Sequence, residues 1–400
     1  MMSLVRNITK VGVLACLTYV MWYKWVYGEH VLILYATAAV AIGGMLMGAL
    51  SENVYLDKVF PAVCYKDVVL CGYSLIVGIF IATSQSVLVS TIFTYLAFSL
   101  VCLAACYACW KDGFAWLLRG IVCIALLCAV WALTNGYHLV GYGMVLSETN
   151  NPHTLGFVMN LGLFAVAYLS KNTVRSFVCN ASLATLFTYI IVQCGSRKCL
   201  LAAAFIIIPW LWIEIKAMYK GNSIQKIVAT VFLAVIVVGI IYYFSNTYLD
   251  SDSYVRMKNI EESKANKARL TYFGLGFEFL RENPLFGIGL GQFALLNPAS
   301  TYSHSVIPEA IASWGTIGSL LYFIPIVGVS FRAFRLAKQK HDKASIIVAC
   351  LCAMELFMGF LQIYFYELTH LIVWMIIAVF VSSNDNQKLN MSLEENKCLN

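Results

Sequence analysis

One polar stretch, residues 246–305, holds the side chains best suited to chemistry in this chain. It contains six acidic and six basic residues and ends in His304, where the next apolar segment begins. An imidazole titrates near neutral pH, so His304 is a candidate general base, with Glu309 about one helical turn further on. The alternative is a histidine that only forms hydrogen bonds at the edge of the apolar segment.

Arginines supply a second kind of chemistry. Arg197 and Lys198 follow a Gly-Ser turn, and the polar stretch contributes Arg256, Arg269 and Arg281. A guanidinium group matches phosphate oxygens with two parallel hydrogen bonds. If these groups converge, they form a site for a di-anion. If they do not, Arg197 pairs with a lipid phosphate or with an acidic residue of a loop.

The composition excludes a water-soluble globular protein. Of 400 residues, 61% are hydrophobic and 12% are charged, and the mean hydropathy is +0.78. We expect an all-α, polytopic membrane protein with residues 1–400 forming a single integral membrane domain. The fourteen cysteines lie mostly in apolar runs, which favours small core residues over disulfides or metal ligands.

About twelve apolar stretches are long enough to cross a bilayer. The net charge of +7 needs no nucleic acid partner, because basic residues concentrate in predicted cytoplasmic loops, including one with Lys58 and Lys66. This pattern places both termini in the cytoplasm and residues 246–305 outside, as an external catalytic loop. The predicted spans are 11–27, 30–50, 68–83, 86–110, 114–133, 153–169, 176–193, 199–212, one ending near 245, 306–329, 345–364 and 369–381.

The external stretch contains an amphipathic helix. We expect a solvated loop at residues 246–267, with a short helix at 257–264. Residues 269–281 have helical periodicity and precede Asn283-Pro284, which ends the helix. Such a helix suits the membrane interface. Its apolar stripe consists of Leu270, Phe273, Phe277 and Leu280.

Three glycines follow this helix at alternate positions, Gly287, Gly289 and Gly291. The spacing is similar to that of a phosphate-cradling loop, but the stretch neither follows a strand nor opens a helix as those loops require. The glycines therefore favour close backbone approach in a tight turn rather than a nucleotide site.

These residues resemble a known family, the bacterial O-antigen ligases and O-antigen polymerases, which are membrane glycosyltransferases. Its motif is a histidine followed by Asn, Ser or Gln, then nine residues, a glycine, two residues and a small or aromatic residue. His304, Ser305, Gly315 and Gly318 fit this motif.

Further motifs agree in order. Residues 281–291, reading RENPLFGIGLG, resemble the turn that precedes the family's histidine loop. Arg269 and Arg197 resemble its two arginines, and Asn151-Pro152 resembles an earlier Asn-Pro motif, although His153 stands where asparagine is commoner. The resemblance covers residues 150–323.

The resemblance implies a polyprenyl diphosphate-linked glycan as donor, without metal or other cofactor, at the outer face of the bacterial inner membrane. Arg197 and Arg269 would bind the diphosphate, and His304 would act as general base on the acceptor hydroxyl. Glu309 or the Ser305 hydroxyl would orient the imidazole. Membrane lipid, a flippase and a chain-length regulator are candidate partners. Supporting residues would be Arg281, Lys198, Arg256 and His153.

Three functions remain open. A polymerase extends another lipid-linked repeat and can serve O-antigen, capsule or exopolysaccharide, so we favour it over an O-antigen ligase, which transfers glycan to lipid A core. The more distant alternative is a transporter of an anionic glycolipid. The sequence shows no inverted repeat, which transporters often have.

Overall fold

The computed structural model describes residues 2–28, 30–52, 61–135, 139–140, 143–144, 152–171, 173–221, 223–243, 264–362, 365 and 367–398. Within these ranges the regular structure is α-helical, apart from a π-helical turn and one pair of short strands. The strands, Leu139–Val140 (β1) and Gly143–Met144 (β2), pair antiparallel, with Leu139 opposite Met144. Arg256 and residues 257–263 of the predicted helix at 257–264 lie outside the described residues.

The first helices run from the N-terminus to Thr134. They are α1 (Met2–Thr18), α2 (Lys24–Tyr27), α3 (Val31–Glu52), α4 (Ala62–Ile81), α5 (Gln85–Asp112) and α6 (Ala115–Thr134), with the π-helical turn Tyr19–Tyr23 joining α1 to α2. The next helices are α7 (Pro152–Leu169), α8 (Val174–Gln193), α9 (Arg197–Tyr219), α10 (Ser223–Tyr243) and α11 (Lys264–Glu282). The last are α12 (Phe293–Leu296), α13 (Val306–Lys340), α14 (Lys343–Leu361) and α15 (Leu368–Cys398).

The all-α membrane fold is confirmed. In the described part of the chain, nine helices are long and apolar enough to cross a membrane. Three shorter apolar helices, His153–Leu169, Ser223–Phe232 and Leu368–Asn384, fall on the remaining predicted spans. Several helices are longer than the predicted spans. A predicted span ends where the first charged residues lower the hydropathy, whereas a helix continues as long as its backbone hydrogen bonds are formed.

The chain divides into two compact units. The first comprises Met1–Val20, Glu29–Leu117 and Thr271–Asn400, and the second comprises Met21–Gly28 and Leu118–Leu270. In the first unit α1 packs along α3, α4 along α5, and α13 along α14, while α15 lies against α5. In the second unit α9 packs against α7, α8 and α10.

The cysteines behave as core residues. The thirteen cysteines whose side chains the structure describes are free, and most are buried. Cys102, Cys106 and Cys109 lie along one buried stretch of α5, as the apolar context predicted. Their small volume lets neighbouring helices approach closely.

A buried ion pair corrects one sequence prediction. Lys66 lies inside α4 rather than in a cytoplasmic loop, and it is 5% exposed. Its Nζ is 2.5 Å from Oδ1 of Asp67, which also accepts a hydrogen bond from the Tyr95 hydroxyl. The same ammonium lies 4.5 Å from the centre of the Tyr322 ring. A hydropathy profile counts lysine as a loop residue because it cannot register that a neighbouring carboxylate neutralises the charge.

Removing one member of this pair should destabilise the protein more than removing both. Asp67→Leu leaves the buried ammonium without its counter-ion, so we expect the free energy of unfolding to fall by about 3–5 kcal/mol. Lys66→Met combined with Asp67→Leu replaces the pair by apolar groups and should recover most of that loss. The stability of both variants is measured by heating the protein in detergent and determining how much monodisperse protein is recovered at each temperature. A double variant as unstable as Asp67→Leu would contradict the pairing.

Candidate functional site

The helix that follows His304 is broken at Gly315. Backbone angles of φ 61° and ψ −161° at Gly315 divide α13 into a first part, residues 306–314, and a longer second part, residues 316–340. The predicted span at 306–329 is therefore not one continuous helix. A break of this kind frees carbonyls before it and amides after it, and these groups need partners when no water is near.

Residues 283–291, which contain Gly287, Gly289 and Gly291 and are called the glycine turn below, supply those partners. The amides of Ile288 and Gly289 donate to the carbonyls of Ala312 and Ser313, at 2.8 and 3.1 Å. In the opposite direction, the amides of Thr316 and Ile317 donate to the carbonyls of Pro284 and Leu285, at 2.9 and 3.2 Å. The turn and the break are thus joined by four backbone hydrogen bonds.

Glycine is required on both sides of this junction. A Cβ atom at Gly287 would lie 2.4 Å from the Ala312 carbonyl oxygen, and one at Gly315 would lie 2.5 Å from the Gly287 amide nitrogen. Both residues also have positive φ, 76° and 61°. The prediction that the alternating glycines permit close backbone approach is confirmed at Gly287.

The break is also held from α4 and α5. The Trp314 indole donates to the Ser74 hydroxyl at 2.9 Å, and the Tyr73 hydroxyl donates to the Trp314 carbonyl at 3.1 Å. The Tyr95 ring stacks on Trp314 with 6.3 Å between ring centres. The Trp314 carbonyl lies just before the break and therefore lacks a helical amide as donor. The Tyr73 hydroxyl takes the place of that donor.

A further pair of hydrogen bonds ties the glycine turn to the α4–α5 connection. Gln292 donates from Nε2 to the Ser84 carbonyl at 3.0 Å and accepts from the Ser84 amide at 2.9 Å. Gln292 is fully buried. The α4–α5 connection and the polar stretch 246–305 therefore meet at this point in the first unit.

His304 has an unusual backbone conformation. Its φ is 60°, which is uncommon for a residue with a Cβ atom. The Ser303 amide donates to Oε2 of the buried Glu309 at 3.0 Å, and the Ser303 hydroxyl donates to the Ser305 carbonyl at 2.8 Å. The Ser305 hydroxyl donates to the Gly359 carbonyl at 3.3 Å. Hydrogen bonds on both sides of His304 thus hold its backbone in place.

The imidazole of His304 lies between two tyrosines. Its ring centre is 6.2 Å from that of Tyr272, with 29° between the planes, and 4.4 Å from that of Tyr302. The side chain is half-buried, so the rings restrict its orientation while part of it stays accessible. Glu309 and Ser305 were predicted to orient the imidazole, and the bonds they make act on the backbone at either side of it.

The second unit brings together His153 and the Ser-Arg turn. Nδ1 of His153 lies 2.8 Å from the Ser196 hydroxyl oxygen, within hydrogen-bond distance, and the Cys199 thiol donates to the His153 carbonyl at 3.6 Å. Arg197 is the first residue of α9, and Lys198 follows it, half-buried. Among the described residues, Nη1 of Arg197 is buried without a hydrogen-bond partner.

Helix α11 carries Arg269 and Arg281, both exposed. It ends at Glu282, immediately before Asn283-Pro284, as predicted. Its buried side, Tyr272, Leu275 and Phe279, packs on a core cluster formed by Ile288, Phe293 and Ala312.

The predicted apolar stripe lies on another side of α11. Leu270 is 76% exposed and Phe277 is 50% exposed. These side chains are not covered by the described residues, and that exposure suits contact with lipid. The location of this helix at the membrane interface stays a prediction.

The comparison with known families concerns this part of the chain. Residues 181–323 match the protein family described as O-antigen ligase. Over this stretch the chain is similar to that family. The resemblance found in the sequence is confirmed for a stretch that includes Arg197, Arg269 and His304. Among curated proteins, no relative matches the chain.

The O-antigen ligase family implies a glycan-transferring, multi-pass membrane enzyme acting on a polyprenyl-linked glycan and lipid substrates. In the described residues, no group of three or more His, Cys, Asp or Glu side chains could hold a metal ion.

The sequence motifs predict His304 and the arginines as site residues, but they do not predict the residues that contact the His304 loop and the Ser-Arg turn. Gly359 and Tyr272 carry no signal in the sequence, because their roles arise from packing between distant segments. Ser196 stood beside a predicted arginine, yet its contact with His153 could not be read from a separation of 43 residues. The convergence of Arg197 and Arg269 with His304 stays a prediction.

Adding one methyl group at the break should destabilise the protein. Gly315→Ala introduces a Cβ atom in a left-handed conformation and against the Gly287 amide, so we expect a loss of about 1–3 kcal/mol or more in the free energy of unfolding. Gly328→Ala is the matched control, because it lies in the same helix with nothing within 4 Å of an added Cβ. Thermal unfolding in detergent compares them. Equal melting temperatures would contradict the close contact.

Proposed function

We propose that this protein is a glycosyltransferase that polymerises polyprenyl diphosphate-linked oligosaccharide repeats on the outer face of the bacterial cytoplasmic membrane. The product would be O-antigen, capsule or exopolysaccharide. The observation that carries the proposal is the fixed, half-accessible imidazole of His304 within the O-antigen ligase match.

His304 acts as the general base. It takes the proton from an acceptor sugar hydroxyl as that oxygen forms a bond to the anomeric carbon of the donor. The bond between the anomeric carbon and the diphosphate oxygen breaks at the same time, and the polyprenyl diphosphate leaves with the electron pair. Attack from the face opposite the leaving group inverts the anomeric configuration. The left-handed backbone at His304 supports this role, since strained residues that their surroundings over-determine cluster at active sites.

Arg197 and Arg269 bind the diphosphate of the donor. Negative charge on the leaving group grows in the transition state, and positioned guanidinium donors stabilise it. The buried Nη1 of Arg197, which has no partner among the described residues, supports an anion as its missing acceptor. Arg269 is exposed and able to reach a ligand. Arg281, Lys198, Arg256 and His153 are supporting candidates.

The proposed orientation follows from the distribution of basic residues. The end of α13 and the turn after it carry Arg332, Arg335, Lys338, Lys340 and Lys343, which favours the cytoplasm. His304 lies just before the opposite end of that helix, so we place it on the outer side of the membrane. The same distribution places both termini in the cytoplasm. Lipid surrounds the protein, and a flippase and a chain-length regulator are its proposed partners.

A second candidate is an O-antigen ligase, because the matched family carries that description. The two functions share donor and chemistry and differ in the acceptor, which is another lipid-linked repeat or a lipid A core.

The acceptor can be identified directly. Purified protein in lipid nanodiscs is incubated with a polyprenyl diphosphate-linked oligosaccharide from the native cell, alone or with lipid A core. A longer lipid-linked chain in the absence of lipid A core supports the polymerase, and a conjugate formed only with it supports the ligase. No transfer to either acceptor, by protein shown to be folded, would overturn the proposed function.

Removing the base should abolish most of the transfer. His304→Asn is the most suitable change, because asparagine tolerates positive φ and lacks a basic nitrogen. We expect the turnover rate to fall by about a hundredfold or more, the usual contribution of a general base, with little change in melting temperature. Product length and rate are measured with the lipid-linked oligosaccharide. A wild-type rate in this variant would remove the general-base role.

Exchanging one arginine for lysine should also impair transfer. Arg269→Lys keeps the charge but loses the paired donors, and a hydrogen bond to a charged group is worth about 1.5–3 kcal/mol, so we expect about a tenfold or larger loss in kcat/KM. Arg335→Lys, near the opposite end of α13, is the control and should retain full activity. If Arg269→Lys matches the control, the residue contributes only charge steering.

A further inference from the structure

A buried histidine joins α14 to α15 in the first unit. His370 is 1% exposed, and its Nδ1 lies 2.6 Å from Oε1 of Glu355, which is 0% exposed. Its Nε2 lies 2.7 Å from the side-chain nitrogen of Gln362. Glu355 belongs to α14, Gln362 ends that helix, and His370 lies in the first turn of α15. Both ring nitrogens thus contact the same end of α14.

The contacts define the hydrogen-bond directions. An amide nitrogen can only donate, so with Gln362 in this orientation Nε2 of His370 accepts and Nδ1 carries the proton. Nδ1 then donates to the Glu355 carboxylate. Glu355 and Gln362 are seven residues apart, or about two helical turns, so they lie on one face of the helix end. The imidazole therefore holds the last two turns of α14 at both ends.

The held segment contains Gly359, which is bonded to the loop of His304. The Gly359 carbonyl accepts the hydrogen bond from the Ser305 hydroxyl. Gly359 belongs to the last turn of α14, whose carbonyls are open to partners from outside the helix. A continuous path of hydrogen bonds and helix backbone therefore runs from His370 through Gly359 and Ser305 to the residue next to His304.

We propose that His370, held between Glu355 and Gln362, is a positioning residue that sets the location of the His304 imidazole. The inference rests on the proposed function, because it assumes that His304 is the base. Ionisable groups buried among membrane-spanning helices are costly, and they are retained where they serve a function. An apolar contact could join α14 to α15 as firmly, but it would not hold Glu355 and Gln362 through directed bonds on both sides of Gly359.

The effect of His370 can be measured by side-chain replacement. His370→Ala removes both bonds and should lower kcat by about tenfold to a hundredfold, since a shift of about 1 Å at a catalytic group can cost about a hundredfold. KM for the lipid-linked oligosaccharide should change little, because the proposed diphosphate ligands are untouched. His370→Asn places an amide nitrogen close to the position of Nδ1, so it should recover part of the loss. Rates are normalised to the folded fraction.

The matched control is another histidine at the opposite end of the α13–α14 hairpin. His341 ends α13 with a positive φ of 53°, so His341→Asn preserves its backbone preference. This variant should retain the wild-type kcat. A fall equal to that of His370→Ala would show that any histidine replacement disturbs the hairpin, and it would overturn the inference.

A double-mutant cycle tests the path through Ser305. Ser305→Ala alone removes the bond to Gly359 and should lower kcat by a factor similar to that of His370→Ala. If both residues act through the same bond, the double variant should be no slower than the slower single variant, whereas independent structural effects would multiply. Ser305→Ala can be assayed even if His370→Ala fails to fold, and a wild-type kcat for Ser305→Ala would overturn the inference.

The two proposals can fail separately. If His304→Asn is inactive while Ser305→Ala and His370→Ala both have wild-type kcat, His304 remains the base and the positioning role is wrong. If His304→Asn is fully active, the general-base role is wrong whatever the His370 variants show.

Discussion

The arrangement around His304 depends on the four backbone hydrogen bonds between the glycine turn and the break at Gly315. An interrupted helix in the hydrocarbon region exposes amides and carbonyls that lipid cannot satisfy, so it is tolerated only where protein covers it. Here the turn contributes two amides and two carbonyls, matching what the break releases. The turn directly follows the last residue of α11, and the break lies within the helix that begins after His304. One junction therefore joins the turn that follows α11 to the helix that begins after His304.

The sequence predicts the parts of this junction but not their contact. Each span is readable because a long apolar run has few other structural solutions. The alternating glycines predict a close approach, but nothing in their spacing identifies Gly315 as the partner. Lys66 shows the opposite difficulty, because hydropathy assigns it to a loop. Its carboxylate partner is the next residue of α4, but only the packing of α4 against α5 and α13 reveals the hydroxyl and the ring that complete its surroundings. A hydropathy profile adds up the properties of single residues, whereas the burial of a charge depends on several residues that contact one another.

The candidate site was predictable to a similar extent. The motif identifies His304 and Ser305, yet the left-handed backbone of His304 is held by two bonds to helical residues. The Ser303 amide donates to Glu309, and the Ser305 hydroxyl donates to Gly359. A residue in such a conformation costs about 1–3 kcal/mol and persists only where its neighbours leave no alternative. The Ser305 hydroxyl contributes to this restraint rather than to helix capping. Ser305 occupies the N-cap position of α13, but its hydroxyl does not cap that helix and bonds to α14 instead.

The two kinds of candidate residue differ in how fully the protein satisfies them. The backbone on both sides of His304 is bonded, which suits a base that must meet a reacting hydroxyl in one geometry. Arg197 instead keeps a buried nitrogen without a partner among the described residues, and such a donor costs about 1–3 kcal/mol in a folded protein. In the proposed mechanism, the diphosphate of the donor supplies the acceptor for this nitrogen.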